Sequence, residues 1–111
     1  MKAANLGYKE AEDGYKVAAF LDARMKSAAA KSSYSHAQQL AADRLQMGLQ
    51  ACYECTEVYV TYRKQFISVK VDHPTDIIDK AGLAIREKDW ENMGYVKKVT
   101  DQGITYRIPK V

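Results

Sequence analysis

A chain of 111 residues with 47% hydrophobic and 28% charged side chains is sized for one domain with a modest core, and its composition excludes disorder throughout. Its formal charge of +3 is spread evenly, +1 over residues 1–56 and +2 over 57–111, with no basic or acidic tail, which argues against a strongly electrostatic nucleic-acid binder. The start, "MKAANLGYKEAEDGYK", has no apolar stretch of signal-peptide length, the longest early apolar run is "VAAFL", and two cysteines make no disulfide framework, so the expectation is a soluble intracellular protein without a transmembrane segment.

The first predicted element is a helix over about 8–31. Tyr8, Ala11, Tyr15, Ala18, Leu21, Met25 and Ala28 step by three or four residues, and the stripe continues through Gly14. "KSSYS" breaks it with short hydroxyl side chains that favour turns and caps. Ser35 and Gln38 then form an S-x-x-Q capping box ahead of a second helix, about 35–56, whose stripe is Ala37, Ala41, Leu45, Leu49 and Cys52 with Leu40 beside it. Two helices joined by so short a turn predict an antiparallel hairpin over residues 1–56.

After Glu57 the texture changes. "VYVTY" is β-branched and aromatic, and "FISVKV" alternates apolar and polar, with "RKQ" between them as a tight turn. Helical spacing through Cys52, Cys55, Tyr59, Tyr62 and Phe66 competes with this reading, but the β-branched and aromatic run favours strand. "DHPTDIIDKAG" reads as a loop with a helical turn and "LAIRE" as a short strand. "KDWENMG" reads as a turn capped by Asp89 and stopped by Gly94. The end is a hairpin, "YVKKV", "TDQG", "ITYRI", with Gly103 available for a positive φ. The expected fold is therefore α+β: a helical hairpin followed, over 57–111, by a small antiparallel β-barrel or sandwich of about five short strands.

The C-x-x-C pair Cys52–Cys55 is the one motif with chemical connotations. Zinc takes about four ligands, and only His36 and His73 remain, 16 residues before and 18 after the pair. A redox pair sits at a helix N-terminus, where the dipole lowers the thiol pKa, whereas this one falls at the C-terminal end of its helix. Structural cysteine is the reading we adopt. G-x-S-x-G, H-E-x-x-H and glycine-rich phosphate loops are missing. Asp76 with Asp79, and Glu87, Asp89 and Glu91, read as solvated surface, and both histidines sit in polar turns. The expectation is a protein that is not an enzyme and uses no metal or cofactor. Trp90 is either a plug over one end of the barrel or an interface anchor. Candidate interface residues are Tyr8, Tyr15, Tyr59, Tyr62, Trp90 and Tyr95.

Two readings of the C-terminal half follow. In one, "DIIDKAGLAIREKDWENMG" is a helix leading into "YVKKV–TDQG–ITYRI" as the wing of a winged-helix DNA binder, with Lys97 and Lys98 on phosphates. Gly82 in mid-helix and the evenly spread charge oppose it. In the other, "VYVTYR" at Val58–Arg63, "IREKDW" at Ile85–Trp90 and "GITYRI" at Gly103–Ile108 carry a resemblance, over roughly residues 38–108, to the head–tail joining (head-completion adaptor) proteins of tailed bacteriophages. The chain departs from that family in lacking the usual glycine after Arg63 and a clear "P-x-x-G-D" before the last strand. The resemblance implies a non-enzymatic component of the virion neck, found in the virion or host cytoplasm. Such a protein would assemble as a homo-oligomeric ring with portal or tail partners, touching DNA only non-specifically. A third reading is a small inhibitor docking on a host enzyme through the helical hairpin.

Overall fold

The computed structural model describes residues 21–55 and 57–110. Tyr8, Tyr15 and the first part of the helix predicted over 8–31 lie outside the described residues. Described helix α1 covers 21–31, and it is followed by α2 (His36–Cys52), β1 (Tyr53–Glu54), β2 (Glu57–Tyr62), β3 (Phe66–Asp72), β4 (Asp76–Ile77), α3 (Lys80–Asn92), β5 (Val96–Thr100) and β6 (Gly103–Pro109).

The capping box forms as its sequence predicts. The Gln38 N–H donates to Ser35 Oγ at 3.1 Å while the Ser35 N–H donates to Gln38 Oε1 at 2.9 Å, which satisfies two orphan donors of α2 at once. Downstream, α2 buries Ala42, Leu45, Gly48, Leu49 and Cys52. The predicted stripe is right in its second half and displaced at its start, where Ala37 and Leu40 face solvent.

β2, β3, β6 and β5 lie side by side in that order as a four-stranded antiparallel sheet, and β1 and β4 pair separately. The β2 and β3 stretches are strands, so the competing helical spacing past Cys52 is not adopted. Burial along β3 alternates residue by residue. Its inward side chains, Ile67, Val69 and Val71, are fully buried, and the register aligns them with Ile108, Tyr106 and Ile104 of β6 and with Tyr62, Val60 and Val58 of β2. α2 and α3 cover this face, so helices and sheet share a single core cluster that includes Leu45, Leu49, Leu83 and Trp90. Each fully buried Leu, Ile or Val contributes about 1.5–3 kcal/mol over an exposed one.

Three expectations are corrected. The helices do not form an N-terminal hairpin. α1 docks at the β2–β3 turn, where Ser27 Oγ accepts from the Tyr62 N–H at 2.9 Å and Lys31 stands over the Tyr62 ring at 5.6 Å, while α2 packs on the sheet and α3. The sheet is open rather than a closed barrel or sandwich, because β2 and β5 are opposite edges and four strands with one helix-covered face have no need to close. "LAIRE" is helix, not strand: α3 runs through it and through "KDWEN". Asp79 caps α3, with its Oδ1 accepting from the Gly82 N–H at 2.9 Å, so Gly82 sits in the first turn instead of breaking the middle, and Asp89 lies inside the helix.

Gly94 does stop α3. At φ +85° it allows the Gly94 N–H to reach the Glu91 carbonyl and the Tyr95 N–H to reach the Trp90 carbonyl, both at 3.0 Å, the paired closure of a Schellman end. The terminal hairpin forms with a two-residue turn, Thr100 paired with Gly103. Gly103 has φ +153°, and a Cβ there would stand 2.2 Å from the Val71 carbonyl oxygen, a backbone atom that cannot turn away. Gly103→Ala is therefore expected to cost roughly 2–3 kcal/mol, read as a lower urea midpoint at unchanged slope. An unchanged midpoint would mean that β6 approaches β3 less closely than described.

Candidate functional site

The cysteine pair is placed by the end of α2. Cys52 is the last helical residue and fully buried, with Arg86 Nη1 of α3 3.6 Å from its Sγ. Cys55 lies just beyond β1, half-buried, and both thiols are free. Burial raises the Cys55 pKa above its ordinary value, and the nearby Asp72 carboxylate adds to the shift. These electrostatics disfavour a thiolate at Cys55, and Cys52 is closed off from solvent by its packing. Among the described residues no group of three or more His, Cys, Asp and Glu side chains could hold a metal ion.

The candidate interface residues separate into buried and exposed sets. Tyr62 is buried at 7% exposure, its ring tilted against Tyr34 at 5.6 Å, and Tyr34 donates its hydroxyl to the Arg63 carbonyl at 2.6 Å. Trp90 is buried at 8%. It lies over Gly48 of α2 and edge-on to Tyr106 at 5.1 Å, filling the seam between the two helices and the sheet rather than plugging a barrel. Tyr95 is half-buried behind the end of α3. Among the described candidates Tyr59 alone is open to solvent, at 43%, on the outer face of β2.

Beside Trp90 a polar chain closes the seam. The Tyr106 hydroxyl donates to Glu87 Oε1 at 3.1 Å, and Lys97 Nζ meets the same oxygen at 3.0 Å, tying β5 and β6 to α3. Sequence reading placed Glu87 on the solvated surface. Its role was hidden because α3 turns Arg86 and Glu87 inward between Leu83 and Trp90, so the inward stripe is polar at its centre.

The two edges of the sheet are unlike. On β2, the Gln46 side chain donates to the Val58 carbonyl and Ser27 accepts from the Tyr62 N–H, both at 2.9 Å, so α2 and α1 each occupy an outward backbone group. β5 is exposed at every residue and has β6 as its one strand partner among the described residues. Val96 and Val99 are 47% and 69% exposed there, and Met93, at the end of α3 that leads into it, is 63% exposed. An open strand edge flanked by uncovered apolar side chains is a template for an added strand. Lysines at such an edge deter unselective pairing: Lys97 is held back against Glu87, while Lys98 at the centre of β5 stays exposed and makes the edge selective for a strand that can accommodate or pair with it.

No family model, curated protein or solved structure matches this chain.

Two outcomes follow from the buried thiols and phenols. Under neutral native conditions an aromatic disulfide reagent should modify Cys55 slowly and Cys52 only after unfolding, and two fast equivalents would contradict the packing. The pKa values of Tyr34, Tyr53, Tyr62, Tyr95 and Tyr106 are all raised from 10.0, with burial the leading cause, and Tyr59 is raised by its hydrogen bond to Glu57. A phenol that holds its proton more tightly when folded contributes stability that is complete below pH 10.0 and lost as pH rises beyond it. The share of phenolate absorbance that belongs to these residues should therefore lag the ordinary tyrosine titration and then rise together with loss of helical circular dichroism. A smooth titration with the fold intact would contradict it.

Proposed function

We propose that the protein is a non-enzymatic assembly adaptor acting through protein–protein contacts, a phage-like head–tail connector component. The open β5 edge, with Val96, Val99 and Met93 exposed around it, carries this reading: among the described residues nothing pairs with its outer side, while Gln46 and Ser27 occupy part of the opposite edge. Strand addition gives a partner main-chain hydrogen bonds from the edge, and the valines give it apolar purchase. The resemblance of "VYVTYR" and "GITYRI" to connector strands supplies the biological setting, with the portal or tail proteins as the partners it implies.

The winged-helix reading gains one observation, since α3 followed by the β5–β6 hairpin is the local order it requires. Against it, β6 is an inner strand of the four-stranded sheet and Lys97 is bound to Glu87, so the hairpin does not project as a free wing. The inhibitor reading loses the helical hairpin it relied on. Among the described residues no helix is long and apolar enough to cross a membrane.

Co-expression with the products of neighbouring reading frames tests the proposal. A stable stoichiometric complex with a structural partner is expected. Val99→Asp, at a position the fold leaves 69% exposed, should cut its recovery about tenfold without unfolding the chain. Steeply salt-dependent duplex binding with no protein complex would overturn the adaptor and favour the winged helix.

A further inference from the structure

Charges that are evenly spread along the sequence are segregated in space by the strand register. Glu57 pairs with Asp72, and Asp72 pairs with Gly103, just past the Asp101–Gln102 turn. One end of the sheet therefore gathers the start of β2, the end of β3 and the β5–β6 turn. The small β1–β4 ladder joins that end, since Glu54 pairs with Asp76, and the His73 N–H donates to the Gln102 carbonyl at 3.2 Å. With Asp79 at the head of α3, six carboxylates collect there: Glu54, Glu57, Asp72, Asp76, Asp79 and Asp101. The cations at this end are fewer than the carboxylates: Lys80, Lys70, whose Nζ is 3.7 Å from Asp72, Lys98 on the same rung through Thr105, and Arg86, which flanks Gly82 together with the Asp79 carboxylate, with His73 3.8 Å from Asp72.

The opposite end is basic. The β2–β3 turn, the residue after β6 and the flank of α1 enclose a groove of about 890 Å³. Its lining includes the small side chains of Ala23, Ala29 and Ala30 and the cations Lys26, Arg63, Lys64 and Lys110. Among its described lining residues Asp22 is the one carboxylate, and it is bound to Lys26 at 3.1 Å. Strands of this length hold the two ends roughly 20 Å apart, about twice the screening length in ~0.1 M salt, so the poles of one molecule do not neutralise each other.

We propose that a second copy of this chain docks head to tail, its acidic end entering the basic groove of the first. The complementarity is contained within a single molecule, which makes another copy the partner that fits both poles. An isologous pairing, groove to groove, would set like charges together, whereas the heterologous contact satisfies each pole and leaves a free pole at either end for further copies. The alanines in the groove's lining keep its side chains small, and Asp101–Gln102 is a two-residue exposed turn of a size to meet it. This contact deepens the adaptor reading by naming how copies join, and rests on that reading for its setting.

Charge reversal at exposed positions tests the contact. Arg63→Glu with Lys64→Glu reverses the groove, and Glu54→Lys with Asp101→Lys reverses the acidic end, all four side chains being exposed. In sedimentation at low salt the wild-type chain should self-associate in a concentration-dependent way that added salt dissolves. Each double variant alone should associate at least about tenfold more weakly, since it sets two like poles together. An equimolar mixture of the two variants should regain association, because each then offers the pole the other lacks. A wild-type chain that stays monomeric to millimolar concentration at low salt, or variants that associate as well as wild type, would overturn the proposal. So would an oligonucleotide retained by wild type and lost only on groove reversal, without self-association. A monomer that still co-purifies with a structural partner removes the head-to-tail contact and leaves the adaptor standing. Self-association as described without any such partner removes the adaptor and leaves the contact.

Discussion

Strand β3 gives its inward face, Ile67, Val69 and Val71, wholly to the core beneath α2, where Leu45, Leu49 and Cys52 are equally dry. Because β3 is bonded on both sides, by β2 and by β6, this burial fixes the register of the whole sheet. A slip of one residue would bring Ser68 and Lys70 inward and send three branched side chains into water. The close approach of β6 at Gly103, the seat of Trp90 against Gly48 and the Tyr106–Glu87–Lys97 chain are all set by that alignment.

The same alignment decides what is left over. With α2 and α3 on one face, the described residues leave the sheet's other face partly exposed and its β5 edge open, while Gln46 and Ser27 cover part of the β2 edge. On the outer face the Arg107 guanidinium lies 4.4 Å from the Phe66 ring centre and Tyr59 stands beside Lys70 across the β2–β3 ladder, a surface of stacked and paired groups rather than a cavity. Register also sorts the charges, bringing carboxylates from β1, β2, β3 and β4 together at one end and leaving the β2–β3 turn with the flank of α1 at the other. Surfaces of this kind recognise by shape and charge, which is why we read the molecule as an assembly part.

Much of the framework was legible in the residues. The Ser35–Gln38 capping box, the β-branched run at Val58–Tyr62, the alternation at Phe66–Val71 and the Gly103 hairpin each rest on local chemistry that tertiary packing reinforces. α3 was illegible for a specific reason. Its inward positions 83, 86, 87 and 90 have helical spacing, but the middle two are Arg86 and Glu87, so the apolar period disappears and Leu83, Ile85 and Gly82 mimic a short strand beside a breaker. Misreading that helix supplied a fifth strand and hence a barrel. The charge poles were equally hidden, because they depend on which strand ends meet. Aromatic size is a poor guide to exposure: Tyr62 and Trp90 hold the core, and aliphatic Val96 and Val99 stand outside it.

Hydrogen exchange resolved by residue, comparing dilute and concentrated protein at low salt, tests the account most directly. If copies join pole to pole, amides of the Arg63–Gln65 turn and of the Asp101–Gly103 turn gain protection together, while those of β5 stay as open as in the dilute protein until a different partner is added. Protection gained at one end alone, or confined to the outer face of the sheet, would contradict it.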